Sequence, residues 1–125
     1  MSAHIVFEAL DDRWPATLSE RVLPALLRDR LGFQGVVFSD DLEMAAIDSH
    51  HDAQTIARQG LSAGIDVFLV CRRLDRAREI RDALVDLACA DPVIFEQLER
   101  ASERVSRLRA RAVDHALEPF TGVAN

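Results

Sequence analysis

The sequence predicts an α/β fold with parallel strands, and three observations carry that expectation. Two short apolar runs, Gly35-Val36-Val37-Phe38-Ser39 and Ile65-Asp66-Val67-Phe68-Leu69-Val70-Cys71, lack the alternation of a half-solvated strand and read as strands buried on both faces. Stretches with helical spacing separate and follow them. The intervening lengths are those of crossover connections, which parallel pairing requires.

The elements follow in order. Met1 to Phe7 is apolar and rich in β-branched and aromatic residues, reads as the tail of a strand, and gives way to the loop signals Asp11, Asp12 and Pro15. Thr17 and Glu20 make a capping-box pattern ahead of Val22, Leu23, Leu26, Leu27 and Leu31, so a helix is expected there, interrupted by Pro24 and stopped by Gly32. Asp48 to Gly64 reads as a loop and then a helix with Ala53, Ile56, Ala57 and Leu61 on one face. Leu74 to Ala90 is an amphipathic helix with Ile80, Leu84 and Leu87 inside, and Asp91-Pro92 opens another that runs to about His115. Glu118 to Asn125 reads as a short tail, leaving one domain over residues 1–117.

Composition narrows the function classes. At 125 residues and 49% apolar content, one packed core is attainable without disulfides or metals. The formal charge is −6 and every basic residue besides histidine is arginine, so the chain has no basic stripe for nucleic acid or an anionic membrane. Cys71 and Cys89 fit no zinc-ligand spacing and read as free thiols of a reducing cytosol. With neither a basic-apolar leader nor a run of membrane-spanning length, a cytoplasmic location is expected.

The residues that can carry chemistry concentrate after the first buried run, where Asp40 and Asp41 stand side by side. Burial disfavours a carboxylate's charged form and each like charge disfavours its neighbour's, so such a pair is tolerated where it is solvated, partnered or used. Capping of the following helix is the alternative use. The surrounding pattern of two aliphatic residues, a basic residue, a further charged residue, a glycine, an apolar triplet and Ser/Thr-Asp is filled by Leu26, Leu27, Arg28, Arg30, Gly35, Val36, Val37, Phe38, Ser39 and Asp40. It resembles the active-site signature of family 3 glycoside hydrolases. Met1-Ser2-Ala3-His4, Asp40-Asp41-Leu42-Glu43-Met44 and Ala63-Gly64-Ile65-Asp66 are similar to segments of the bacterial β-N-acetylhexosaminidases of peptidoglycan recycling.

The resemblance implies the C-terminal part of a (β/α)8 TIM-type barrel, with Met1–Phe7, Gly35–Ser39 and Ile65–Cys71 as its last three strands and an extra C-terminal helix. It implies retaining chemistry with Asp40, not Asp41, as nucleophile, acting on N-acetylglucosamine-containing muropeptides without a cofactor. His4 and Met44 are then candidates to face the sugar, with structural roles as their plainer readings. A barrel of this type takes about 250 residues. The family's Lys-His sugar-binding segment and His-Asp acid/base loop have no counterpart in this sequence. Activity is therefore expected only when the rest of the barrel is supplied, and unpaired sheet edges favour self-association or pairing with that missing portion.

Other readings carry less. A non-catalytic remnant acting through interactions is one alternative. A phosphoacceptor signalling domain is another, but it needs a late lysine that the sequence lacks. His50-His51-Asp52 reads as a solvated loop rather than a metal site, Asp66 and Cys71 as packing residues, and Arg100, Arg104, Arg107 and Arg111 as a solvated helix face paired with Glu96, Glu99 and Glu103.

Overall fold

The computed structural model describes residues 1–117, so the expected tail from Glu118 lies outside the described residues. Its centre is a parallel pair of strands, β1 (Phe38–Asp41) and β2 (Val67–Leu69). Between them run α1 (Ala45–Asp48) and α2 (Ala53–Ser62), and after β2 come α3 (Leu74–Ala90) and α4 (Pro92–Leu117). The α/β class and parallel pairing match the sequence reading, and α3 has the expected bounds.

The expected third strand is absent among the described residues. Met1–Phe7 donates one hydrogen bond toward β1, from Ser2 N–H to the Phe38 carbonyl at 2.8 Å. Its other groups are claimed elsewhere: the Ile5 carbonyl accepts from Ala16 N–H at 2.8 Å, and Ser2 and His4 bind the Thr17 hydroxyl. Those bonds draw the segment toward the 3₁₀ turn Ala16–Leu18, and strand-forming composition does not compensate for a missing ladder partner.

The expected helix from Thr17 is also replaced. Thr17 is fully buried within the turn, its hydroxyl serving Ser2 and His4 instead of a helix end. A π-helical segment, Leu23–Arg30, begins later, with Pro24 in its first turn, where the missing N–H is harmless. Its widened bonding is seen in Leu27 N–H to Val22 C=O at 3.4 Å and Leu31 N–H to Leu26 C=O at 3.1 Å. Gly32, at φ +67°, ends it as expected.

Three apolar clusters hold the layers together. Ala57, Leu61, Ala83, Leu87, Ile94 and Ala101 join α2, α3 and α4. Leu18, Leu42, Ile47, Ile56 and Ile80 join the 3₁₀ turn, α1, α2 and α3, while Leu23, Val37 and Ile65 seal the strands against the π-helical segment. Phe68 of β2 packs against all three clusters. Its ring explains Gly60 inside α2: a Cβ there would meet Phe68 Cε1 at 2.6 Å, closer than packed atoms allow.

Candidate active site at the carboxyl edge of the sheet

Asp40 lies near the end of β1 on a bulge. Phe38 pairs with Val67 and Asp41 with Leu69, so β1 spends one residue more than β2 between the same two rungs. Ser39 is fully buried and its hydroxyl takes the place of a ladder carbonyl, accepting from Leu69 N–H at 2.8 Å. The Leu69 carbonyl then accepts from Leu42 N–H at 2.9 Å. A bulge turns the following side chain away from the ladder direction, and Asp40 is half-buried, with its Oδ1 accepting from Asp41 N–H at 2.8 Å.

His4 buttresses this strand end. Its Nε2 reaches the Asp41 carbonyl at 3.0 Å and its Nδ1 the Thr17 hydroxyl at 3.0 Å. Because a carbonyl only accepts, Nε2 carries the hydrogen of that bond, and Nδ1 shares the other with the Thr17 hydroxyl. Both ring nitrogens are therefore engaged within the protein. Met44, 45% exposed, opens α1 beyond the strand with its side chain unburied.

Glu43 was given no role by sequence reasoning, yet it is the most heavily bonded carboxylate at this edge. Its side chain is 2% exposed, and it accepts from three successive backbone N–H groups after β2: Cys71 at 3.0 Å, Arg72 at 2.6 Å and Arg73 at 2.9 Å. The Arg73 guanidinium adds an ion pair at 3.2 Å. Three consecutive amides aimed at one anion form a backbone nest. Arg73 also reaches Asp48 at 3.2 Å, and Asp48 pairs with the buried Arg76 at 2.9 Å, so α1 is pinned to the start of α3. Cys71 is exposed overall, but partial desolvation, followed by the neighbouring Asp41 and Glu43 carboxylates, holds its thiol above the ordinary value.

The amino edge is built differently. Asp66 precedes β2 with its side chain 0% exposed, accepting from Arg28 at 2.9 Å and from Val37 N–H at 2.8 Å. Arg104 of α4 converges on the other oxygen, Oδ1, through Nε at 2.8 Å and Nη2 at 2.7 Å. The same Arg28 donates to the Gly35 and Gly64 carbonyls at 3.2 and 3.1 Å. The packing role expected of Asp66 thus takes the form of a buried ion triad. Arg104 departs from the solvated face expected of its helix, where Arg100–Glu96 at 2.6 Å and Arg107–Glu103 at 3.9 Å are the exposed pairs. Its position three residues after the buried Ala101 is the periodic signal that could have found it.

At His50-His51-Asp52, as elsewhere among the described residues, no three ligating side chains converge. Asp52 instead caps α2 by accepting from Thr55 N–H at 2.8 Å, which keeps its carboxyl below the usual range. His51 lies 5.2 Å from the Trp14 ring, and burial together with the adjacent His50 pushes its value down.

With this geometry in view, the chain's likenesses are consistent with one another. It is 41% identical to a β-hexosaminidase of Thioalkalivibrio sulfidiphilus over 94% of its own length and 36% of the relative's. It is 44% identical to the β-hexosaminidase of Methylobacillus flagellatus over 64% of this chain and 23% of that one. Its fold is similar to a family 3 β-N-acetylglucosaminidase from a Paenibacillus species (TM-score 0.81, 34% identity), covering 96% of this chain and 23% of that one. The β-N-acetylglucosaminidase of Thermotoga maritima is similar too, at a TM-score of 0.78 and 30% identity, covering 84% of this chain and 23% of that one. The chain therefore spans only about a quarter to a third of these relatives. The description of the glycosyl hydrolase family 3 N-terminal domain matches residues 1–108, and the chain belongs to that family.

Proposed function

We propose that this chain supplies the nucleophile strand of a retaining β-N-acetylhexosaminidase, with Asp40 as the nucleophile and Asp41 as its neighbour. The observation that carries the reading is Asp40 on the bulge at the carboxyl end of a parallel strand, the edge at which (β/α)8 enzymes place their chemistry. In the first step an Asp40 oxygen bonds to the anomeric carbon as the bond to the leaving oxygen breaks, and a general acid protonates that oxygen. In the second, water deprotonated by the same group attacks the anomeric carbon and frees Asp40. The acid/base group and most of the sugar pocket come, on this reading, from the rest of a complete barrel.

The substrate class is a terminal β-linked N-acetylhexosamine on peptidoglycan fragments, released in the cytoplasm. The names of the relatives support the sugar. No described helix is long and apolar enough to cross a membrane.

The test combines the chain with the remaining N-terminal barrel portion and an aryl β-N-acetylglucosaminide. Turnover should need both parts and disappear in Asp40→Ala, and a 2-fluoro glycosyl trap should label Asp40. Label on Asp41 would overturn the nucleophile assignment, and turnover by the chain alone that Asp40→Asn abolishes would overturn the need for the rest of the barrel.

A second reading, an interaction fragment without catalysis, is favoured by an apolar groove of about 520 Å³ between β2, α3 and α4, lined by Phe68, Val70, Leu84, Val85, Leu98 and Val105. Capture of the N-terminal barrel portion without turnover would support it.

A further inference from the structure

We infer that Glu43 and Asp41 are positioning residues that aim the Asp40 carboxylate, an assignment that rests on the nucleophile reading above. The argument is a continuous chain of hydrogen bonds running from a buried anchor to the reacting group. The anchor is the Glu43 carboxylate, held by the Cys71, Arg72 and Arg73 amides and by the Arg73 guanidinium. The Glu43 backbone N–H donates to Asp41 Oδ1 at 3.1 Å, and the Asp41 N–H donates to Asp40 Oδ1 at 2.8 Å. His4 holds the Asp41 carbonyl from the other side at 3.0 Å.

Each link fixes a different degree of freedom. Anchoring Glu43 on the loop after β2 sets where the chain leaves β1, since residues 71–73 are tied to the sheet by the strand that precedes them. The Glu43 amide orients the Asp41 side chain, and the Asp41 amide sets one oxygen of Asp40. A carboxylate with one oxygen committed to a backbone donor presents the other in a defined direction, and reactions between bound groups are sensitive to misplacements of about 1 Å. The anchor is itself rigid because backbone amides have no rotamers to lose. It also crosses between the loops after β1 and β2, beyond the last backbone bond between the strand ends, Leu42 N–H to the Leu69 carbonyl.

Residue-by-residue hydrogen exchange on the 125-residue chain tests the inference without substrate. Glu43→Gln offers one acceptor oxygen where two are used and puts an NH₂ against backbone donors. Exchange should rise about tenfold at Cys71, Arg72 and Arg73 and also at Asp41, with Ile56, Leu61 and Ile80 unchanged. A rise confined to residues 71–73 would show that Glu43 only caps that loop and would overturn the inference. Should Glu43→Gln fail to fold, Asp41→Ala removes the middle link alone. Exchange should then rise at Glu43 and stay slow at residues 71–73, and an unchanged Glu43 amide would overturn the inference. In the recombined enzyme Glu43→Gln should lower kcat with little change in KM, and an unchanged kcat with Asp40→Ala still inactive would sink the positioning role alone. Loss of the nucleophile reading is a separate result, since the trap would then label a residue other than Asp40.

Discussion

Asp66 at the amino edge of the sheet and Glu43 at the carboxyl edge are both buried carboxylates, but they are satisfied by different partners. Asp66 is held by two arginine side chains, one from the π-helical segment and one from α4, and by one backbone amide. Glu43 is held chiefly by three backbone amides of a single loop. An isolated buried carboxylate costs several kcal/mol, so each must be compensated, and the manner of compensation decides what the edge can do. Two guanidinium groups lock the π-helical segment, β2 and α4 into one arrangement. A nest fixes one loop and leaves Asp40 half-buried beside it. The closed edge serves stability and the open one geometry.

The comparison yields predictions of decreasing size. Asp66→Ala should be the most damaging to stability, because it strands Arg28 and Arg104 in poorly solvated positions and costs about 3–5 kcal/mol. Denaturant midpoints measure this, and a smaller loss than that of a Glu43 variant would reverse the roles of the two edges. Glu43→Ala should cost about 1–3 kcal/mol, since its backbone donors can find water once the loop loosens. The loss should come with local exchange rather than global unfolding. Ser39→Ala, which removes one buried acceptor from Leu69 N–H, should cost about 1 kcal/mol by the same measurement. A neutral result would show that the bulge is held without the hydroxyl.

The smallest effect concerns reactivity at the open edge. Because the Cys71 thiol is held above its ordinary value, its thiolate is depleted at neutral pH in the folded chain. Iodoacetamide should label it a few-fold more slowly folded than in urea, with the gap closing as pH rises past the folded value. Asp41→Asn should speed the folded rate. Equal rates folded and unfolded would mean that the carboxylates of this edge do not act on the thiol.

Much of the helical layer was legible because its signals are local. Ile80, Leu84 and Leu87 repeat at helical spacing, Asp91-Pro92 marks a helix start, and the bounds of α3 follow. The first strand was placed too early, at Gly35–Ser39 instead of Phe38–Asp41. The apolar run shows where burial lies, whereas strand bounds depend on where β2 offers partners. The Met1–Phe7 strand and the Thr17 helix failed for one shared reason. Thr17 is engaged by Ser2 and His4, residues more than ten positions away, and no local pattern reports such a bond.

By itself the sequence determined the α/β class, the parallel pairing, the helical stripes and the resemblance that singles out Asp40, because residue spacing and motif order are properties of the chain. Only the tertiary structure decided that Ser39 forms a bulge, that Glu43 sits in a nest formed by Cys71, Arg72 and Arg73, and that Arg104 turns inward to Asp66. Glu43 and its donors are separated by 28 to 30 residues, and Arg104 and Asp66 by 38. The physical reason is burial: a carboxylate placed away from water must take whichever donors the fold brings within reach, and residue type alone does not name them.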